Sequence, residues 1–211
     1  MMHATLPLDR PALVRRSRWL NIATLGYNSL EGIVAVGAGA LTGSVALVGF
    51  GIDSVIELGA GATALWRLGA DAHPTRREHA EHRALRLVGV SFLALAVYVA
   101  VEAAGALTRH TPPERSWIGI GLAAASLVIM PILARAKRAV ALQLRSGALA
   151  AEARQTQICV YLSAILLGGL LLNAIAGWWW ADPLAALAMV PLIAWEGLEG
   201  IRGRSACADG C

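Results

Sequence analysis

Six apolar runs, each approaching the roughly 20 residues that carry a helix across the hydrocarbon core of a bilayer, tile this chain of 211 residues. They are Trp19 to Leu41, Ser44 to Trp66, Leu87 to Leu107, Trp117 to Ala134, Ile158 to Gly177 and, less cleanly, Trp178 or Pro183 to Leu198. The expected fold is an all-α membrane protein of six transmembrane helices. Composition points the same way, with 57% of residues hydrophobic and only 15% charged, well outside an ordinary soluble domain. Only "TG" separates the first two runs, so they form a tight hairpin. "GWWWADP" makes an equally short turn between the fifth and sixth, and its Trp178, Trp179 and Trp180 suit a membrane interface.

The basic residues set the orientation. Sixteen of the eighteen Lys and Arg precede the first run, follow the sixth, or lie in the second-to-third and fourth-to-fifth connections; only Arg109 and Arg115 lie on the other side. That asymmetry places both termini in the cytoplasm, as an even number of spans requires. It also explains the net charge of +4 as orientation signal, which excludes a nucleic-acid partner. No cleavable signal peptide is expected, because "MMHATLPLDRPALVRRSRW" lacks a short apolar core ending in a small-residue cleavage site. Three cysteines, Cys159 in an apolar run and Cys207 and Cys211 in a "CADGC" tail, make no disulfide framework. The expected division is a cytoplasmic segment over 1–18, a membrane domain over 19–201 and a cytoplasmic tail over 202–211, in the inner (plasma) membrane.

The second run contains the feature that demands a function. Asp53 and Glu57 sit at its centre with no basic residue before Arg67. Four apart on a helix, they point the same way. Each charge at that depth costs about 2.5–3.5 kcal/mol, and two side by side worsen the cost. The pair must be protonated, hydrated, or neutralised by a cation, and a site alternating among these states is a cation transporter. The competing explanation is two acids sharing a proton or bonding neighbouring helices.

Comparing the halves turns up a repeat. "SVALVGFGIDSVIE" from Ser44 and "SGALAAEARQTQIC" from Ser146 share Ser, Ala and Leu at the same offsets, which sets Asp53 on Gln155 and Glu57 on Cys159. Both segments hold the same place in their three-span halves, and three being odd, the halves form a 3+3 inverted repeat, an arrangement that builds transport sites near the midplane. With the two helices antiparallel, Gln155 is expected level with Glu57, and Cys159 with Asp53. The fifth helix must then begin near Ser146, ahead of its apolar run, with Arg154 snorkelling to the interface. Cys159 adds a sulfur that suits Zn or its softer neighbours, and four ligands match tetrahedral coordination. A buried Cys serving as a small hydrophobe, and Gln155 lying at the membrane edge, are the alternatives.

Other polar residues are candidates of lower rank. Asn28 and Glu31 in "YNSLEG" share a face at the depth of the acid pair and are expected to support the site, carry protons, or bridge helices. Glu102 is expected to pair with Tyr98. Asp71, His73, His79 and His82, in "RLGADAHPTRREHAEHR", offer a cytosolic metal site or a solvated charged loop. Ala96, Ala100 and Ala104 make a small-residue stripe that permits close helix contact.

"GSVALVGFGIDSVIE" from Gly43, the six spans, the cytoplasmic termini and "SGALAAEARQTQIC" together resemble the membrane domain of the cation diffusion facilitator (cation efflux) family. With "YNSLEG" and "GWWWADP" the chain is also similar to the short bacterial cation transporters that lack a C-terminal cytosolic domain. The family's "SxAL" spacing carries Asp53 and Glu57 onto its second-span pair, and Gln155 and Cys159 onto a fifth-span pair that is His and Asp in the family. The resemblance implies export of a divalent metal, commonly Zn2+, from the cytoplasm by alternating access in a homodimer, in exchange for protons. The chain is thus expected to be a transporter and not an enzyme, with no cofactor beyond its transported metal. Two alternatives differ in kind: a non-transporting metal-binding or regulatory membrane subunit of the same fold, and a carrier of small organic cations that does not depend on Cys159.

Overall fold

The computed structural model describes residues 10–69, 74–144 and 147–202, apart from the side chains of 10, 63, 64, 66–69, 74–85, 147, 148 and 151. These residues form α1 (Arg10–Thr42), α2 (Val45–Gly69), α3 (Pro74–Arg109), α4 (Trp117–Leu144), α5 (Gly147–Ala176) and α6 (Ala181–Arg202). Helices α1, α3 and α5 all start well ahead of their apolar runs. For α5 this matches the repeat, which requires a start near Ser146, and Arg154 is exposed.

Helices α2 to α6 each carry a stretch long and apolar enough to cross a membrane, whereas α1 does not. The burial pattern of α1 gives the reason. Ser17, Asn21, Thr24, Asn28 and Glu31 are all buried, and their alternating spacing of four and three keeps them on one face. Trp19, Ile22, Leu30 and Ile33 are exposed on the opposite face. α1 is therefore amphipathic in the inverted sense, apolar outward and polar inward.

The three short connections gather at one end of the bundle. α1 stops where Gly43 adopts φ 70° and the Ser44 N–H donates to the Gly39 carbonyl at 3.0 Å, a Schellman closure that favours glycine. The Ser44 hydroxyl then caps α2, accepting from the Leu47 N–H at 3.1 Å, a contact worth about 1 kcal/mol. Asp182, in the first turn of α6, accepts from the Ser44 hydroxyl and from the Val45 N–H at 3.0 Å. Its negative charge thereby meets the positive end of the α2 dipole. The α3–α4 connection joins the same end, because the Glu114 N–H donates to the Thr42 carbonyl at 2.8 Å and Asn173 Nδ2 to the Pro113 carbonyl at 3.2 Å. The first described residue of α1 and the last of α6 therefore lie toward the opposite end.

α2 touches α1, α3, α5 and α6 and so runs through the middle, with Leu47 and Phe50 fully buried among Phe92, Met130, Leu162 and Met189. A close seam joins α3 to α6. A Cβ at Gly89 would lie 2.6 Å from the Ile201 nitrogen, and one at Gly197 would lie 2.9 Å from the Gly89 carbonyl oxygen. The inward face of α3 coincides only in part with the alanine stripe. Of its residues only Ala96 is buried, while Ala100 is half-buried and Ala104 exposed; the inward face of α3 is Phe92, Ala96, Val99 and Ala103. Large apolar side chains such as Ile33, Leu87, Val97, Ile118 and Ile175 cover the outside, as lipid contact demands. Trp178 and Trp180 stack with ring centroids 5.0 Å apart at the turn end.

Candidate metal centre

α2 and α5 build the site. Asp53 and Glu57 lie one turn apart on the face of α2 turned to α5, and Cys159 answers from α5. One donor atom from each of the three lies within 4.8 Å of the others, and all three residues are buried. A tetrahedral zinc with bonds of about 2.0–2.3 Å holds its donors roughly 3.3–3.8 Å apart. A closure of about 1 Å would therefore bring the three to bonding geometry.

The hydrogen bonding around the acids is uneven. Both Asp53 carboxylate oxygens are buried without a partner among the described residues. Glu57 accepts one bond, from Asn28 Nδ2 of α1 at 2.8 Å, which fixes its rotamer and leaves its other oxygen for the cluster. Ser163 donates to the Cys159 carbonyl at 2.7 Å, so it stiffens α5 without engaging the sulfur. Glu31 is instead enclosed by hydroxyls. Ser54 donates to it at 2.8 Å, Ser126 of α4 donates to its other oxygen, and Tyr27 bonds Ser126 at 2.7 Å. Of the two supporting candidates on α1, then, Asn28 touches a cluster acid directly and Glu31 ties α1 to α2 and α4.

Gln155 lines a polar cleft that also reaches Glu57, Asn28 and Lys137, which agrees with its expected level beside Glu57. The cleft lies on the side of the cluster away from the three short turns. No hydrogen bond joins Glu102 to Tyr98 among the described residues; Tyr98 is exposed and Glu102 half-buried, which corrects the expected pair. Asp71 and His73 lie outside the described residues, as do the side chains of His79 and His82 and the cysteines Cys207 and Cys211.

Three polar residues escaped the sequence reading. Glu196 of α6 stands within electrostatic reach of Asp53 and Glu57, and its signal was an acid inside the sixth apolar run. Lys137 and Glu152 form a largely buried ion pair at 2.9 Å. The signal for Glu152 was its spacing from Thr156 and Cys159, which repeats the four-three pattern of a single inward face.

A helical bundle of membrane-spanning length, with two carboxylates and a thiol converging at its buried centre, belongs to the class of membrane proteins that handle cations. Residues 22–203, a stretch running from α1 past the end of α6, match the cation efflux transmembrane domain, and the chain belongs to that family. It is thus a multi-pass membrane protein of a transporter family. It is also similar to an uncharacterized transporter of Synechocystis sp. (strain ATCC 27184 / PCC 6803 / Kazusa), with 28% identity over 187 residues that cover 86% of this chain and 58% of that relative. The chain therefore spans less than two thirds of that relative's length.

Proposed function

We propose that the protein exports a divalent metal of the Zn2+ class from the cytoplasm, with Asp53, Glu57 and Cys159 as its ligands and Gln155 or water completing the coordination. The observation that carries this reading is the meeting of three buried donors within 4.8 Å while both Asp53 oxygens lack a hydrogen-bond partner. Buried carboxylates without partners are costly, and a divalent cation compensates two of them at once. The thiolate biases the choice toward zinc and softer ions, since oxygen donors alone favour Mg2+, Ca2+ or Mn2+.

In this reading the cation reaches the site from the side of the cleft, and rocking of the helices exposes it to the other side. Protons then replace it, because acids buried at this depth need a counter-charge or a proton whenever the metal leaves. The positive-inside asymmetry supports cytoplasmic placement of residues 1–18 and 202–211, and with it location in the inner membrane. A homodimer is part of this reading.

Uptake of Zn2+ into inside-out vesicles under an imposed pH gradient tests the proposal. Asp53→Ala and Glu57→Ala are expected to abolish uptake; undiminished flux in both would overturn the site. Metal binding without flux, across Zn2+, Cd2+, Co2+, Mn2+ and Fe2+ in proteoliposomes, would favour a non-transporting metal-binding subunit.

A further inference from the structure

The cleft beside Glu57 holds more polar chemistry than one pathway wall requires. From α1 come Asn21, Thr24 and Asn28, from α4 Lys137, and from α5 Glu152 and Thr156. Lys137 is buried, and its ammonium donates to Glu152 Oε1 at 2.9 Å and to Thr156 Oγ1 at 3.3 Å. Stability gives no reason to retain such a pair, since apolar residues of like volume commonly serve a buried position as well or better.

A second, independent observation lies across the cleft. Asn21 is 1% exposed and Asn28 2% exposed, and the Oδ1 of each is buried with no hydrogen-bond partner among the described residues. The orientation of Asn28 follows from its neighbour. A carboxylate only accepts, so the bond to Glu57 claims the amide nitrogen and turns the amide oxygen elsewhere. Two buried oxygen acceptors in want of a cation thus share a cleft with a carboxylate whose present partner is a tethered cation.

We propose that this cleft is a second cation site, an all-oxygen stop for a partly hydrated divalent cation formed by the amide oxygens of Asn21 and Asn28 and the Glu152 carboxylate, whose place the Lys137 ammonium takes when no cation is bound. The proposal rests on the reading of the protein as a cation transporter. An arriving divalent cation displaces the ammonium from Glu152, so the charge beside that carboxylate rises by one unit and not by two. Asn28 touches both this cleft and Glu57, which makes it the point of transfer to the Asp53–Glu57–Cys159 cluster. The two stops differ in hardness: the cleft offers oxygen alone, and the cluster adds sulfur.

The test uses the full chain in lipid nanodiscs, with Mn2+ binding followed by electron paramagnetic resonance and Cd2+ binding by calorimetry. Lys137→Met and Lys137→Gln are each expected to gain one equivalent of bound Mn2+ over the unaltered protein, and adding Asn21→Leu is expected to remove it. The Cd2+ equivalent at the cluster is expected to persist throughout, which also reports a folded protein. No added Mn2+ in either Lys137 variant while Cd2+ still binds would overturn the cleft site, as would an added equivalent indifferent to Asn21→Leu. Failure of the unaltered protein to bind Cd2+ would instead count against the cluster, and the Mn2+ comparison would still decide the cleft.

Discussion

Asp53 and Glu31 are both completely buried acids in the same interior, and their surroundings are opposites. Glu31 is satisfied by Ser54 and Ser126 and so resembles any well-paired polar group of a membrane bundle, where hydroxyls link helices. Asp53 accepts nothing among the described residues and faces Glu57 and a thiol instead. In the proposed reading the difference separates framework from cargo site: an acid whose two oxygens both accept from the protein is already compensated, and an acid left bare in an apolar interior is the one a cation would compensate.

That distinction can be broken by experiment, and the largest effect belongs to the bare acid. Asp53→Ala should reduce Zn2+ uptake to the level of protein-free vesicles and leave the metal-free thermal unfolding temperature the same or higher, because it removes an uncompensated buried carboxylate. A fall in stability with flux intact would move Asp53 into the framework class. Next comes the residue that touches both regimes. Asn28→Leu frees Glu57 from its only described hydrogen bond and should weaken metal binding about 10–100-fold, the usual cost of losing a group that orients a ligand, as read by calorimetry.

The framework acid should show the reverse pattern. Glu31→Ala removes one acceptor from each of Ser54 and Ser126, which keep the Phe50 carbonyl and the Tyr27 hydroxyl as partners, and should cost about 1 kcal/mol of stability per lost bond, measured by denaturant unfolding in detergent, with flux per folded molecule retained. Glu31→Gln, which keeps an acceptor and adds a donor, should recover part of that loss. The smallest effect is expected far from either acid. Ser116 caps α4 by accepting from the Gly119 N–H at 3.1 Å, and Ser116→Ala should cost about 1 kcal/mol with metal affinity unchanged.

Much of this contrast was legible in the chain. The run lengths announced helices, the four-residue spacing of Asp53 and Glu57 put them on one face, and the repeat 102 residues on directed attention to Cys159, which the fold brings beside them. The polar face of α1 was half visible. Asn28 and Glu31 stood out in "YNSLEG", but Ser17 lies ahead of the apolar run and Asn21 and Thr24 within it, and only their shared burial gives the three a common direction. Glu102 misled because spacing along one helix says which residues share a face and nothing about what that face meets.

Sequence by itself determined the elements, their order and their orientation signals, because the cost of exposing backbone and charge to lipid acts on each segment separately. It also determined that two acids would point together, since one turn of helix is a local property. Tertiary structure alone decided which acid would be satisfied and which left bare, for the partners of Glu31, Glu57 and Lys137 come from other helices whose rotation and crossing are set by packing. The same holds for Asp182 at the cap of α2, a contact across 137 residues of sequence. Hydrogen bonds reach only about 3 Å, so a rotation of one helix too small to alter any sequence pattern exchanges a satisfied acid for a bare one.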